Sequence, residues 1–192
     1  GGAAARGGEW ASGSWKSVQY HMPADMLPFG IVGKIAYAPD LDAYGSGNNT
    51  GVESVEGTAT YPGRSATEYQ VKANPIDGLN IGASYFTFDK QGAAKKDQEA
   101  ESGSYMATYA VGNFTVGYSK GFKAELVTDS ENAGWDDYDQ TNYSVAMVVN
   151  DDLSISYEKE KSKANANVDS TADVEQASTS YQLAYNMGGM TL

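Results

Sequence analysis

The sequence predicts an all-β protein, an antiparallel up-and-down transmembrane β-barrel. Three observations predict it: long stretches in which apolar and small polar residues alternate, a strand–turn–strand unit that recurs, and tyrosines that mark the same end of each unit. In YSVAMVVNDDLSISYEKE (143–160), Tyr143, Val145, Met147, Val149, Leu153, Ile155 and Tyr157 alternate with Ser144, Ala146, Val148, Asn150, Ser154 and Ser156. A period of two places the first set on one face of a sheet and the second on the other.

The elements follow in order. GGAAARGGEWASG (1–13) has neither the basic start nor the apolar core of a signal peptide. A strand is expected near Ser14–Met22, a turn over Pro23–Pro28, and a strand over Phe29–Tyr37, where Phe29, Ile31, Gly33, Ile35 and Tyr37 share one parity. A Gly/Asn/Asp-rich loop covers about 40–64, with room for a short hairpin over Val52–Tyr61. Four hairpin units then begin at Tyr69, Tyr105, Tyr143 and Tyr181, spaced 36, 38 and 38 residues apart. Their short turns, Asn74–Gly78, Gly112-Asn113, Asn150–Asp152 and Gly188-Gly189, consist of residues that accept left-handed or turn backbone. Long hydrophilic loops are expected near 89–102, 121–139 and 160–177. Short and long connections alternate, which gives about ten strands with every short turn at one end.

Composition narrows the function. A net charge of −12 over 192 residues argues against nucleic acid as a partner. With no cysteine, disulfides, thiolate zinc sites and thiol catalysis are excluded. One histidine leaves no multi-histidine metal site, and no Ser-His-Asp set can be argued from it. No enzyme chemistry, cofactor or metal is therefore expected. The longest apolar run is Val145–Val149, short of the roughly 20 residues of a membrane helix, a test that does not detect barrel strands.

The tyrosines share parity with the apolar face. Tyr69, Tyr85, Tyr105, Tyr118, Tyr143, Tyr157 and Tyr181 all fall at the long-loop end of their strands. That pattern predicts an aromatic girdle at the lipid–water boundary, with aliphatic residues below it and a polar lumen behind. The competing arrangement is a soluble β-rich surface module, an adhesin or S-layer-like domain, whose tyrosine face packs internally.

VKANPIDGLNIGASYF (71–86), SGSYMATYAVGNFTVGYSKGF (102–122), TNYSVAMVVNDDLSISYEKEK (141–161) and SYQLAYNMGGMTL (180–192) resemble the general porins of Gram-negative outer membranes, closest to the alphaproteobacterial branch. The resemblance runs from about Ser14 to Leu192 and makes 14–192 a partial porin barrel. It implies a barrel of about 16 strands, a homotrimer, and passive diffusion of small hydrophilic solutes and ions through a water-filled channel. Because such chains end in an aromatic residue and this one ends at Leu192, truncation at both termini is expected, and residues 1–13 would be part of a constriction loop or a poorly defined segment. Parity places Lys34 and Lys72 on the lumen side with Glu68, as a basic patch of the constriction, and Glu9 is the acid of the candidate loop. Lys120 and Lys159, each two residues beyond a girdle tyrosine, would face lipopolysaccharide phosphates. The acidic 121–139 segment favours cations, and the exposed loops are where a phage or other surface partner would dock.

Overall fold

In a computed structural model the described residues are 17–23, 25–39, 65–88, 101–124, 135–166, 172–187 and 190–191. They form a single antiparallel sheet of ten strands: β1 (Val18–His21), β2 (Val32–Ala38), β3 (Ala66–Ala73), β4 (Leu79–Phe88), β5 (Glu101–Val111), β6 (Phe114–Ala124), β7 (Trp135–Val148), β8 (Leu153–Ala166), β9 (Val174–Met187) and the two-residue β10 (Met190–Thr191). Spatial order equals chain order throughout, so the topology is up-and-down, as expected from the alternating connections. Among the described residues no strand is left for a second layer, and β1 and β10 are the sheet's edges. The sheet is not closed.

Turn chemistry sets the hairpins. Gly78 at φ +77° and Gly112 at φ +56° adopt the left-handed backbone that reverses β3 into β4 and β5 into β6. Gly78 has a second constraint: a Cβ there would meet the carbonyl oxygen of Ala110 at 2.3 Å, whereas nothing lies near one at Gly112. Between β7 and β8, Asn150 Oδ1 accepts the backbone N–H groups of Asp152 and Leu153, both at 2.9 Å. The Leu153 N–H is shared with the Asn150 carbonyl at 3.3 Å, so side chain and backbone of one asparagine together hold the turn.

Two expected boundaries shift. Phe29 is not in a strand: it sits in a 3-10 turn, Pro28–Gly30, with φ +62°, and β2 begins three residues later. Pro28 lacks the N–H that a ladder needs, which favours a turn over an extended start. The strands also run further into the hydrophilic segments than the pattern predicts. β6 continues to Ala124, β7 starts at Trp135, β8 continues to Ala166, β9 starts at Val174 and β5 starts at Glu101, so the expected loops 89–102, 121–139 and 160–177 are each partly strand. Backbone hydrogen bonding needs no apolar face, and charged cross-strand pairs such as Lys120–Asp139 at 3.8 Å support the extensions, while Asp173, just before β9, binds Lys163 at 2.7 Å. The segments 1–13 and 40–64, with the hairpin expected at Val52–Tyr61, lie outside the described residues.

Candidate functional site

The pairing registers sort every strand residue onto one of two faces. Directly opposed residues share a face: Tyr69 with Tyr85, Ala83 with Tyr105, Tyr118 with Tyr143, and Tyr157 with Tyr181. All seven tyrosines expected in the girdle therefore lie on one face, and Tyr37, opposite Thr67, joins them. This face is bare. Tyr69, Tyr105, Tyr143 and Tyr181 are exposed at 47 to 79 %, and Val71, Val116, Val145, Ile155 and Leu183 are exposed at 38 to 64 %. Of the exposed large apolar side chains in strands, all but Met106, Val148 and Val174 belong to it. Water makes such a face costly, about 1.5–3 kcal/mol for each large side chain left uncovered.

The tyrosines form a staircase. Tyr37 comes first, then Tyr69 and Tyr85, then Tyr105, then Tyr118 and Tyr143, then Tyr157 and Tyr181; each group lies two residues nearer the short turns than the one before. From β2 to β9 this averages about one residue per strand. A rise of about 3.3 Å for every strand spacing of about 4.8 Å inclines the row by about 35° to the perpendicular of the strands. Neighbouring rings touch along it: centroids are 6.0 Å apart for Tyr105–Tyr118, 5.3 Å for Tyr118–Tyr143 and 5.2 Å for Tyr157–Tyr181. The interplanar angles, 47° to 54°, are those of tilted pairs and not of a coplanar stacking platform.

Below the staircase the strip is apolar down to the turns, seven residues in β5 from Tyr105 to Val111, or about 20 Å along the strand. Exposed Met26, Leu27, Phe29, Ile76 and Val149 in or beside the short turns carry it further. Above the staircase the same face becomes charged. Lys120 lies 3.8 Å from Asp139, so one of the two lysines expected beyond the girdle has a carboxylate partner. Lys159 stands opposite Tyr143 on one side and Thr179 on the other, with Lys161 and Lys163 following at alternate positions on the same face of β8. The Lys163–Asp173 ion pair holds the Asp173 carboxyl below the ordinary carboxylate value, first by the lysine's hydrogen bond and then by that of the Ala166 N–H. It raises the Lys163 ammonium in turn.

The opposite face is polar and more covered. Lys34, Glu68, Gln70 and Lys72 all point to it from β2 and β3, which are adjacent as the sequence reading required. Lys34 and Lys72 are not a bare basic patch, because Lys34 Nζ lies 3.3 Å from Glu68 Oε1, and Gln70 Nε2 donates to the same carboxylate oxygen. Glu68 is only 3 % exposed, and a carboxylate so placed draws the nearest cation onto itself. Lys72, opposite Val32 and Gly82, remains exposed. Glu9 lies outside the described residues. The polar face continues through the Ser84–Ser104 hydroxyl pair at 2.9 Å and through Asn80, which accepts from Asn74 and donates to Thr108.

On β6 to β9 this face presents Ser119, Asn142, Ser144, Glu158, Glu160, Ser178 and Ser180 in adjacent rows, a set that the sequence reading did not single out. Their even or odd parity opposite the tyrosines was the available signal. Among the described residues, no group of three or more histidines, aspartates or glutamates could hold a metal ion, and no helix is long and apolar enough to cross a membrane. No protein-family model, curated protein or solved structure matches the chain.

Proposed function

We propose that this chain forms part of the wall of an outer-membrane porin, a water-filled β-barrel through which small hydrophilic solutes and ions diffuse passively. The exposed apolar face with its tyrosine staircase carries the reading. A tyrosine ring suits the boundary between hydrocarbon and headgroups, so a girdle level with that boundary identifies the axis normal to the membrane. A row inclined by about 35° to the perpendicular of the strands then corresponds to strands tilted by the same angle, within the tilt range of transmembrane barrels. On strands so tilted, the roughly 20 Å of β5 below the staircase spans about 16 Å of depth, and the exposed apolar residues of the short turns extend it toward the roughly 25 Å apolar band of such barrels.

Lipid would cover the tyrosine face, and the Lys34–Glu68–Gln70 wall would face water. Lys120 and Lys159 would meet lipopolysaccharide phosphates above the girdle, Lys34 and Lys72 would line the constriction, and the natural assembly would be a homotrimer. The net charge of −12 favours passage of cations over anions. The soluble-adhesin reading needs the tyrosine face to be packed internally, and no element among the described residues covers that face.

The test is electrical. The full-length protein, taken from detergent into a planar bilayer under a salt gradient, should give stepwise openings and a reversal potential on the cation side. Silence from protein that stays monodisperse without detergent would reject both channel and membrane wall.

A further inference from the structure

The polar wall holds two shielded oxygens that no donor among the described residues reaches. Ser119, Asn142, Glu160 and Ser178 stand in one register row across β6, β7, β8 and β9: Ser119 opposite Asn142, Asn142 opposite Glu160, Glu160 opposite Ser178. Glu160 is 7 % exposed. Its Oε1 and the Oδ1 of Asn142 are both closed off from solvent, and neither has a hydrogen-bond partner among the described residues. Acceptors set side by side on paired strands repel each other, and a buried one without a partner needs an explanation such as a bound ion. The next row on this face adds Glu158 between Ser144 and Ser180. The basic residue of the same face on β6, Lys123, is four positions further along the strand and lies over the Tyr138 ring at 5.8 Å.

We infer that Glu160 and Asn142, flanked by Ser119 and Ser178, form a binding site for an alkali-metal cation on the polar wall. The donor set decides the class of ion. All four side chains offer hard oxygen, which suits alkali and alkaline-earth cations and not softer metals. A single carboxylate among neutral oxygens balances one positive charge, and the described residues contain no multi-carboxylate cluster of the kind a tight divalent site uses. If the wall lines a channel, the site is a station that cations occupy and anions avoid. That part rests on the porin reading; the site itself does not.

Two measurements separate them. Crystals of the full-length protein soaked in thallium(I) acetate should show an anomalous peak between Glu160 Oε1 and Asn142 Oδ1. The isosteric Glu160→Gln variant should lose it, and Asn142→Asp should strengthen it. In bilayers, Glu160→Gln should lower the cation-to-anion permeability ratio by about thirty-fold, because one unit charge at about 4 Å in water weights cations up and anions down by roughly five-fold each. No peak in the wild type overturns the site whatever the conductance, and would mean that the Asn142 amide turns to donate to Glu160. A peak without any conductance keeps the site and rejects the channel. Open channels with no peak and an unchanged ratio in Glu160→Gln keep the channel and reject the site.

Discussion

Glu68 is nearly buried, and its charge is balanced by a lysine that is itself mostly covered, with side chains 4 % and 17 % exposed. Replacing that lysine is therefore more than a surface change. Lys34→Met should cost about 1–3 kcal/mol, the range for losing a charged hydrogen bond to a buried group, read as a lower urea midpoint. Asp173 supplies a second residue-scale test, this time of pH. It binds Lys163 Nζ at 2.7 Å and accepts the Ala166 N–H at 3.1 Å. Because its folded pKa is depressed from 3.8, its contribution is fully present above that value and is lost as pH falls through the lower folded one. Lys163 runs the other way: raised from 10.5, its share is present below that value and is lost as pH rises through the higher one. Exchange protection of the Ala166 amide should hold near pH 5 and decline below 3.8, while Asp173→Asn, lacking the charge, should show no such acid step.

At the scale of the element, the turns carry the sharpest expectation. Gly78→Ala must strain a left-handed backbone, at about 1–2 kcal/mol, and also drive a methyl group into the Ala110 carbonyl at 2.3 Å. Gly112→Asn meets open space and keeps a residue that tolerates positive φ, so it should change stability by less than about 1 kcal/mol. Equal costs in thermal melts would show that the β5 backbone does not press on the first turn. Both turns were legible in the sequence because glycine and asparagine are local signals, and the faces were legible because parity needs only spacing. The ends of β6, β7, β8 and β9 were not. There, charged residues such as Asp139 and Lys163 read as loop, since hydropathy registers water contact and not the backbone ladder beneath. The Lys34–Glu68 pairing was hidden for a different reason: parity shared by Lys34, Glu68 and Lys72 does not say which diagonal neighbour a long side chain will reach. Nor could the staircase be read, because the displacement between tyrosine pairs lives in the strand registers.

For the whole molecule, that staircase is what a depth measurement should find. Single tryptophans placed at Tyr69, Tyr143 and Tyr181, with the three native tryptophans replaced, should be quenched equally by brominated lipids. Phe122→Trp shares a straight register row with Tyr69, through Tyr85 and Gly103, yet should lie about 8 Å nearer the water on the long-loop side. Equal quenching at all four sites would mean upright strands and a tyrosine row without relation to the bilayer. A girdle substitution, Tyr143→Asp, falls at the interface and should weaken retention in vesicles by no more than about 1 kcal/mol, while Ser144→Asp on the polar face should leave retention unchanged.

Each strand pairs only with those before and after it in the chain. An architecture of that kind has a modular ancestry available to it. A duplicated strand–turn–strand segment of some 38 residues, the Tyr105 to Tyr143 repeat, can be spliced in beside its parent, and the remaining strands keep every neighbour they had except at one seam. A deletion of one repeat is equally local. The width of the sheet can therefore change by whole hairpins over evolutionary time, without reinventing a turn, a register or the tyrosine row.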